Sequence, residues 1–171
     1  MSDKRASMDV KFDTRALDKL RAAFKVSPTA QVGVLGTKNS RDNQAKGGTD
    51  AQTNAEIGAV HEYGAVVDRG GIKIRMPIRS FLRMPITEKL SDELGKLGAF
   101  TEETLRRVIR EKSIKAWVEK VGATAFAVVM EAFDTGGFGK WKPSKMEHKT
   151  NQQTLVETRQ LRDSITWEVK P

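Results

Sequence analysis

Apolar positions along the chain recur at two spacings. The strongest run is Ile114, Trp117, Val118, Val121, Ala125, Val128, Val129 and Ala132, at intervals of three and four residues. It predicts one long amphipathic helix over 113–133, the spine of the core. Gly122, Ala123, Ala125 and Ala127 leave room on it for a sheet or a second backbone. Shorter helices are expected at Leu17, Leu20 and Phe24, capped by Asp13 and stopped before Pro28. Another is expected at Ile57, Val60 and His61, where Thr53 and Glu56 form a capping box and Gly64 closes the end. Two more follow: Ile86, Leu90, Leu94 and Leu97 after Pro85, and Leu105, Val108 and Ile109 behind Thr101, with Glu102 and Glu103 in the first turn.

Strands are expected at 31–35, at 66–76 around the turn Asp68-Arg69-Gly70-Gly71, and at 164–169. The stretch Ile72-Lys73-Ile74-Arg75-Met76 alternates, which turns Ile72, Ile74 and Met76 inward and Lys73 and Arg75 outward. The pattern adds up to a single α+β domain over 1–171: a small, mainly antiparallel sheet with the long helix packed across it, plus shorter helices. Three segments lack a period: a flexible tail over 1–11 and two long loops over 36–52 and 134–153. Both loops are polar and longer than the usual connection of ~12–15 residues, so they read as mobile until a neighbour orders them. Phe138 and Trp141, inside the glycine-rich start of the second loop, either anchor it on its own core or dock into a neighbour.

Composition narrows the chemistry. The chain has no cysteine and only two histidines, which excludes disulfides, a thiolate metal site and a cysteine nucleophile. No apolar run reaches the ~18–20 residues of a membrane span, and no apolar stretch follows the N-terminal Met1-Ser2-Asp3-Lys4-Arg5. A soluble protein with no membrane partner is therefore expected. The net charge is +8, and part of it concentrates in Arg69, Lys73, Arg75, Arg79 and Arg83, with no acid between the first and the last. Such a stretch is a solvated face or a basic ribbon toward DNA or an acidic partner.

Catalytic constellations fail on spacing. His61-Glu62 would begin a zinc-protease helix, but the second histidine belongs at position 65, which is Ala65. The glycines at 33 and 36 match neither the P-loop nor the dinucleotide spacing. No serine sits in a nucleophile elbow. No enzyme activity, cofactor or metal is expected.

Three stretches carry a family resemblance: Ile57-Gly58-Ala59-Val60-His61-Glu62-Tyr63-Gly64-Ala65, then Ile78-Arg79-Ser80-Phe81-Leu82-Arg83, then Gly136-Gly137-Phe138-Gly139-Lys140-Trp141-Lys142-Pro143 with Leu155 to Ile165. In this order and spacing the chain resembles the tailed-bacteriophage virion-morphogenesis proteins, the small neck, tail-completion and minor tail components of the head-to-tail joint. Arg159 stands where that family usually has glycine, and Ser80 where a second proline is common. The resemblance spans about 53–169. It implies a structural protein that assembles in the host cytoplasm and resides at the virion's head-tail junction. There it would form a sixfold or twelvefold ring against head-completion or connector proteins on one side and tail-terminator or tail-tube proteins on the other.

On that reading Tyr63, Phe81, Leu82, Arg83, Phe138, Trp141, Leu161 and Arg162 are the fold and assembly candidates. Arg69, Lys73, Arg75 and Arg79 are the candidates to face passing double-stranded DNA or an acidic partner. The alternative is a stand-alone nucleic-acid-binding protein that uses the basic 69–83 segment.

Overall fold

Helix α5, Lys115–Asp134, carries eight buried residues and organises the rest of the chain. The computed structural model describes residues 14–25, 27–40, 53–99, 101–142, 154–155 and 159–171. The expected tail at 1–11 and most of the two expected loops lie outside these residues. Chain order among the described residues is α1 (Arg15–Lys25), β1 (Thr29–Val34), a 3-10 turn (Gly36–Asn39), α2 (Asn54–Tyr63), β2 (Ala65–Arg69) and β3 (Ile72–Met76). It continues with α3 (Arg83–Lys96), α4 (Glu102–Glu111), α5, α6 (Gln160–Ser164) and β4 (Ile165–Lys170). The α+β class holds.

The expected single sheet divides into two. β1 pairs antiparallel with β4, Val32 opposite Trp167, and α5 packs on this pair. β2 pairs with β3 alone, Val66 opposite Arg75 and Asp68 opposite Lys73. Alternation at 66–76 was expected to mark a strand half-buried in the common sheet. It marks instead a separate hairpin whose Ile72 is 68 % exposed, while Ile74 and Met76 are half-buried. The two-residue turn Gly70-Gly71 has φ of 63° and 86°, the left-handed backbone that a tight hairpin requires.

The main core joins distant parts of the sequence. Phe81, Val129, Ala132, Phe133, Trp141, Leu161 and Ile165 form one buried cluster. Phe133 lies between two rings, 5.2 Å from Phe81 and 5.8 Å edge-on from Trp141. Such contacts add to the area each aromatic buries. A second cluster of Ala23, Val108, Ile114 and Val118 joins α1 and α4 to the start of α5.

Both long loops begin with more structure than their composition suggests. The Gly36–Asn39 turn is tied to the start of α2: Asn54 Nδ2 donates to the carbonyls of Lys38 and Ser40, at 3.1 and 2.9 Å, and the Ala55 amide donates to Asn39 Oδ1 at 2.9 Å. After Asp134 the chain folds back through Gly136, Gly137 and Gly139, all at left-handed φ. The Gly137 amide bonds to the Ala132 carbonyl, and Trp141 returns to the core with 8 % exposure. Gly137 also fills a steric requirement, since a Cβ there would lie 2.2 Å from the Trp141 indole nitrogen.

Candidate functional site

The molecule's most elaborate polar arrangement centres on Glu62. This residue stands in the last turn of α2, capped at its other end by the expected Thr53–Glu56 box. In that box Glu56 accepts from the Thr53 amide at 2.7 Å, and this bond holds the Glu56 carboxyl below its ordinary pKa. Glu62, by contrast, is 5 % exposed. A carboxylate buried this deeply is costly unless its lone pairs are met. Glu62 meets them with the start of α3. Its Oε1 accepts from Ser80 Oγ at 2.5 Å and from the Arg83 amide at 3.0 Å; its Oε2 accepts from the amides of Phe81 and Leu82 at 2.9 and 3.1 Å. Ser80 Oγ in turn accepts from the Met84 amide at 2.9 Å.

The first amides of a helix have no partner inside it, and a negative charge is favoured there by the aligned peptide dipoles. Glu62 therefore acts as a capping carboxylate supplied by a different helix. The Arg83 guanidinium, mostly exposed, adds a contact at 3.8 Å from Oε1. Spacing alone excluded the His61-Glu62 metal motif. The capping role was hidden because the partners lie 18 to 21 residues further on. No local signal marked it, since the buried residues of α2 are Asn54, Gly58 and Glu62, none of them a large apolar side chain.

Between Glu62 and Ser80 the chain leaves the body and returns. Two further ties close the gap. The Arg79 amide donates to the His61 carbonyl at 2.7 Å, and its guanidinium donates from Nε and Nη2 to the Lys142 carbonyl at 3.2 and 3.1 Å. Gly64 has φ 75° and ψ 160°, a region open almost only to glycine. A Cβ there would sit 3.0 Å from Ile78 Cγ1 and 3.2 Å from the Met76 carbonyl oxygen. The outgoing and returning strands thus cross tightly at a clamped root, and the β2–β3 hairpin projects from it as an arm. Tyr63, Val66, Ile72 and Ile78, on or beside this arm, are 59–68 % exposed.

The expected basic ribbon does not form a continuous face. Lys73 and Arg75 are exposed on the arm, and Arg83 is exposed on α3. Arg79 is 5 % exposed, and burial lowers its pKa. Its guanidinium holds the Lys142 carbonyl, because three residues separate it from Arg75, Pro77 among them, and the chain has already turned back into the body. The backbone of Arg69 pairs opposite Ile72; its side chain lies outside the described residues.

The assembly candidates divide in the same way. Phe81, Trp141 and Leu161 fill the main core, with Leu82 and Phe138 packed against it. Within the chain the aromatics of the glycine-rich loop therefore anchor it on its own core. Phe138 also lies under the Lys89 ammonium, 5.2 Å from the ring centre. Arg162 ties α6 to the end of α5 by donating to Asp134 Oδ1 at 2.9 Å. Tyr63 and Arg83 are left as the exposed members of the set. Among the described residues no group of three or more histidine, cysteine or acidic side chains could hold a metal, and no helix is long and apolar enough to cross a membrane. Compared with protein-family models, with curated proteins and with solved structures, the chain has no match.

Proposed function

We propose that this chain is a structural protein of the head-to-tail joint of a tailed bacteriophage, a neck or tail-completion subunit that assembles as a ring between the DNA-filled head and the tail. One observation carries the reading beyond the bare motifs. The stretches 57–65 and 78–83, which carry the resemblance, meet through the Glu62 carboxylate to build the fixed root of an exposed arm. The third motif joins them in the same core through Trp141 and Leu161. Motif residues so arranged position an interaction element and give the subunit a rigid base for it. Stand-alone nucleic-acid binding through 69–83 is less well supported, since Arg79 is buried and the described exposed cations are divided between the arm, with Lys73 and Arg75, and the start of α3, with Arg83.

The test is removal of the gene from a phage that carries it, followed by negative-stain imaging of the particles. Filled heads and separate tails that fail to join are the expected outcome. Normal joined virions that eject their DNA would overturn the proposal.

A further inference from the structure

The second core cluster opens to solvent on one side. A groove of about 360 Å³ lies between α1, α4 and the start of α5, walled by Phe24, Leu105, Val108, Ile114 and Trp117. Phe24 and Leu105 are 52 % and 48 % exposed, and Leu17, two turns before Phe24 on the same face of α1, is 56 % exposed. The Trp117 indole N–H donates to the Ala99 carbonyl at 3.1 Å, which fixes one wall. The volume is that of a binding cleft, and large apolar side chains gathered at a surface in this way mark an interaction site.

The helices around this groove are basic. α1 carries four basic residues and one acidic, and the stretch 101–115 carries five basic and three acidic. Helical spacing brings part of this charge to the rim. Arg21 lies between Leu17 and Phe24 on their face of α1, and Lys112, the C-cap of α4, follows Leu105 and Val108 on theirs. Three of the four acids are already met: Asp18 by Arg21, Glu102 by Arg106 and Glu111 by Arg107. Glu102, the one charged residue that lines the groove, therefore has its counter-ion at 2.6 Å. Lys25, next to Phe24, and Lys112 pair with none of the described acids.

We propose that the α1–α4–α5 groove takes an acidic amphipathic helix of a different protein, one with aspartates or glutamates beside an apolar stripe. Floor and rim together select it. A nucleic acid would answer the cations but leave Phe24, Leu105 and Trp117 uncovered. A second copy would bring like charge, since the chain carries +8 and its other exposed apolar element, the arm, bears Lys73 and Arg75. An acidic amphipathic helix answers both features: its stripe enters the groove through anchors three and four residues apart, and its carboxylates lie against the lysines and arginines of α1 and α4. The proposal deepens the assembly reading above by giving the chemistry of a neighbouring protein, and it rests on that reading for its biological setting.

The test uses the full chain and two dye-labelled synthetic peptides that share one leucine stripe, with glutamate on the polar face of one and lysine on that of the other. Fluorescence anisotropy should show saturable binding of the glutamate peptide, at least tenfold tighter than that of the lysine peptide. Leu105→Asp should weaken it at least tenfold and Lys112→Glu several-fold. Lys38→Glu, the same change of charge at an exposed position in the 3-10 turn beside α2, should leave it as it was. Equal binding of the two peptides, no effect of Leu105→Asp, or equal effects of Lys112→Glu and Lys38→Glu would overturn the proposal. So would equal competition by polyglutamate or a short DNA duplex, which would mark a plain polyanion surface. The chain has no cysteine, so Leu105→Cys reports on the groove alone, and its maleimide labelling should run at the rate of an open thiol at every protein concentration. Protection in dilute protein would mean that the chain covers its own groove, and protection only on concentration that a second copy does; either overturns the proposal. In phage, Leu105→Asp should block joining as gene removal does. Normal joining by this variant, with joining still lost on gene removal, would sink the groove contact and spare the assembly reading. Normal joining after gene removal would sink the assembly reading, and the peptide measurements would then decide the groove by themselves.

Discussion

The root and the tip of one excursion, the stretch from Glu62 to Ser80, are built on opposite principles. At the root a single buried carboxylate accepts four hydrogen bonds, an arginine is buried against a carbonyl, and a glycine is wedged between neighbours. At the tip a hairpin stands with Ile72 exposed, and no atom lies within 4 Å of where a side chain on Gly70 or Gly71 would begin. Rigidity is concentrated where the arm leaves the body, and exposed apolar surface where it ends. On the proposed assembly role this division is useful: a fixed root limits the directions the arm samples, which reduces the ordering lost on binding.

The comparison fails if the root proves as tolerant as the tip. The largest effect is expected from Glu62→Ala. It leaves three amides and the Ser80 hydroxyl without their acceptor in a buried site, and the loss should be about 3–5 kcal/mol, read as a shift in urea midpoint at constant slope. Glu62→Gln keeps the shape and one acceptor oxygen but loses the charge at the helix start, so it should lose less. A loss below about 1 kcal/mol for Glu62→Ala would mean that the cap is dispensable.

Glycine separates the two regions by a second route. Gly64 and Gly71 both have positive φ, 75° and 86°. Gly64→Ala adds strain of about 1–3 kcal/mol and, because a methyl group there meets Ile78 and the Met76 carbonyl, an overpacking term of similar size. Gly71→Ala adds backbone strain alone, about 1–2 kcal/mol, since the space around it is open. Equal losses on thermal unfolding would remove the distinction between a clamped root and a free tip.

How much of this was legible follows from the range of each interaction. The capping box at Thr53, the cap at Thr101, the long helix and the final strand depend on neighbours a few residues away, and each lies where the pattern put it. Pairing was not legible at the same level. Alternation at 72–76 identifies a strand but does not say which strand it meets, so one sheet was expected where two exist. Charge was least legible. Arg79 and Arg83 look alike in a row of cations, yet one is buried and the other exposed, because the chain returns to the body between Arg75 and Arg79. The site's key residue, Glu62, stood within a motif read for metal chemistry, and its hydrogen-bond partners were out of local range.

Arg159 shows a sequence departure met by the backbone itself. It stands where the resembled family usually has glycine, and its φ is 58°, so the left-handed turn into α6 is kept with a residue that tolerates it poorly. Arg159→Gly should relieve about 1 kcal/mol of strain, partly offset by the freedom glycine adds to the unfolded chain. A net gain of a few tenths of a kcal/mol in the urea midpoint is the expected reading. A net loss would mean that the arginine side chain makes up for the strain. This turn belongs to the body, so the arm's exchange behaviour should not change with it.

The smallest effect on global stability is expected at the tip. Asp68 Oδ1 accepts from the Gly71 amide at 2.8 Å and closes the turn. Asp68→Ala removes that bond, normally worth about 1 kcal/mol. The arm, however, can open without unfolding the body, and a mutation within it cannot destabilise the native state by more than the free energy of that local opening. The expected change in global midpoint is therefore below about 0.5 kcal/mol, while amide exchange over 65–76 accelerates several-fold and exchange at Phe81 to Met84 stays as it was. Acceleration at both places would mean that arm and root open together. The excursion would then be one cooperative unit, and the clamp at Glu62 would not insulate the body from the arm.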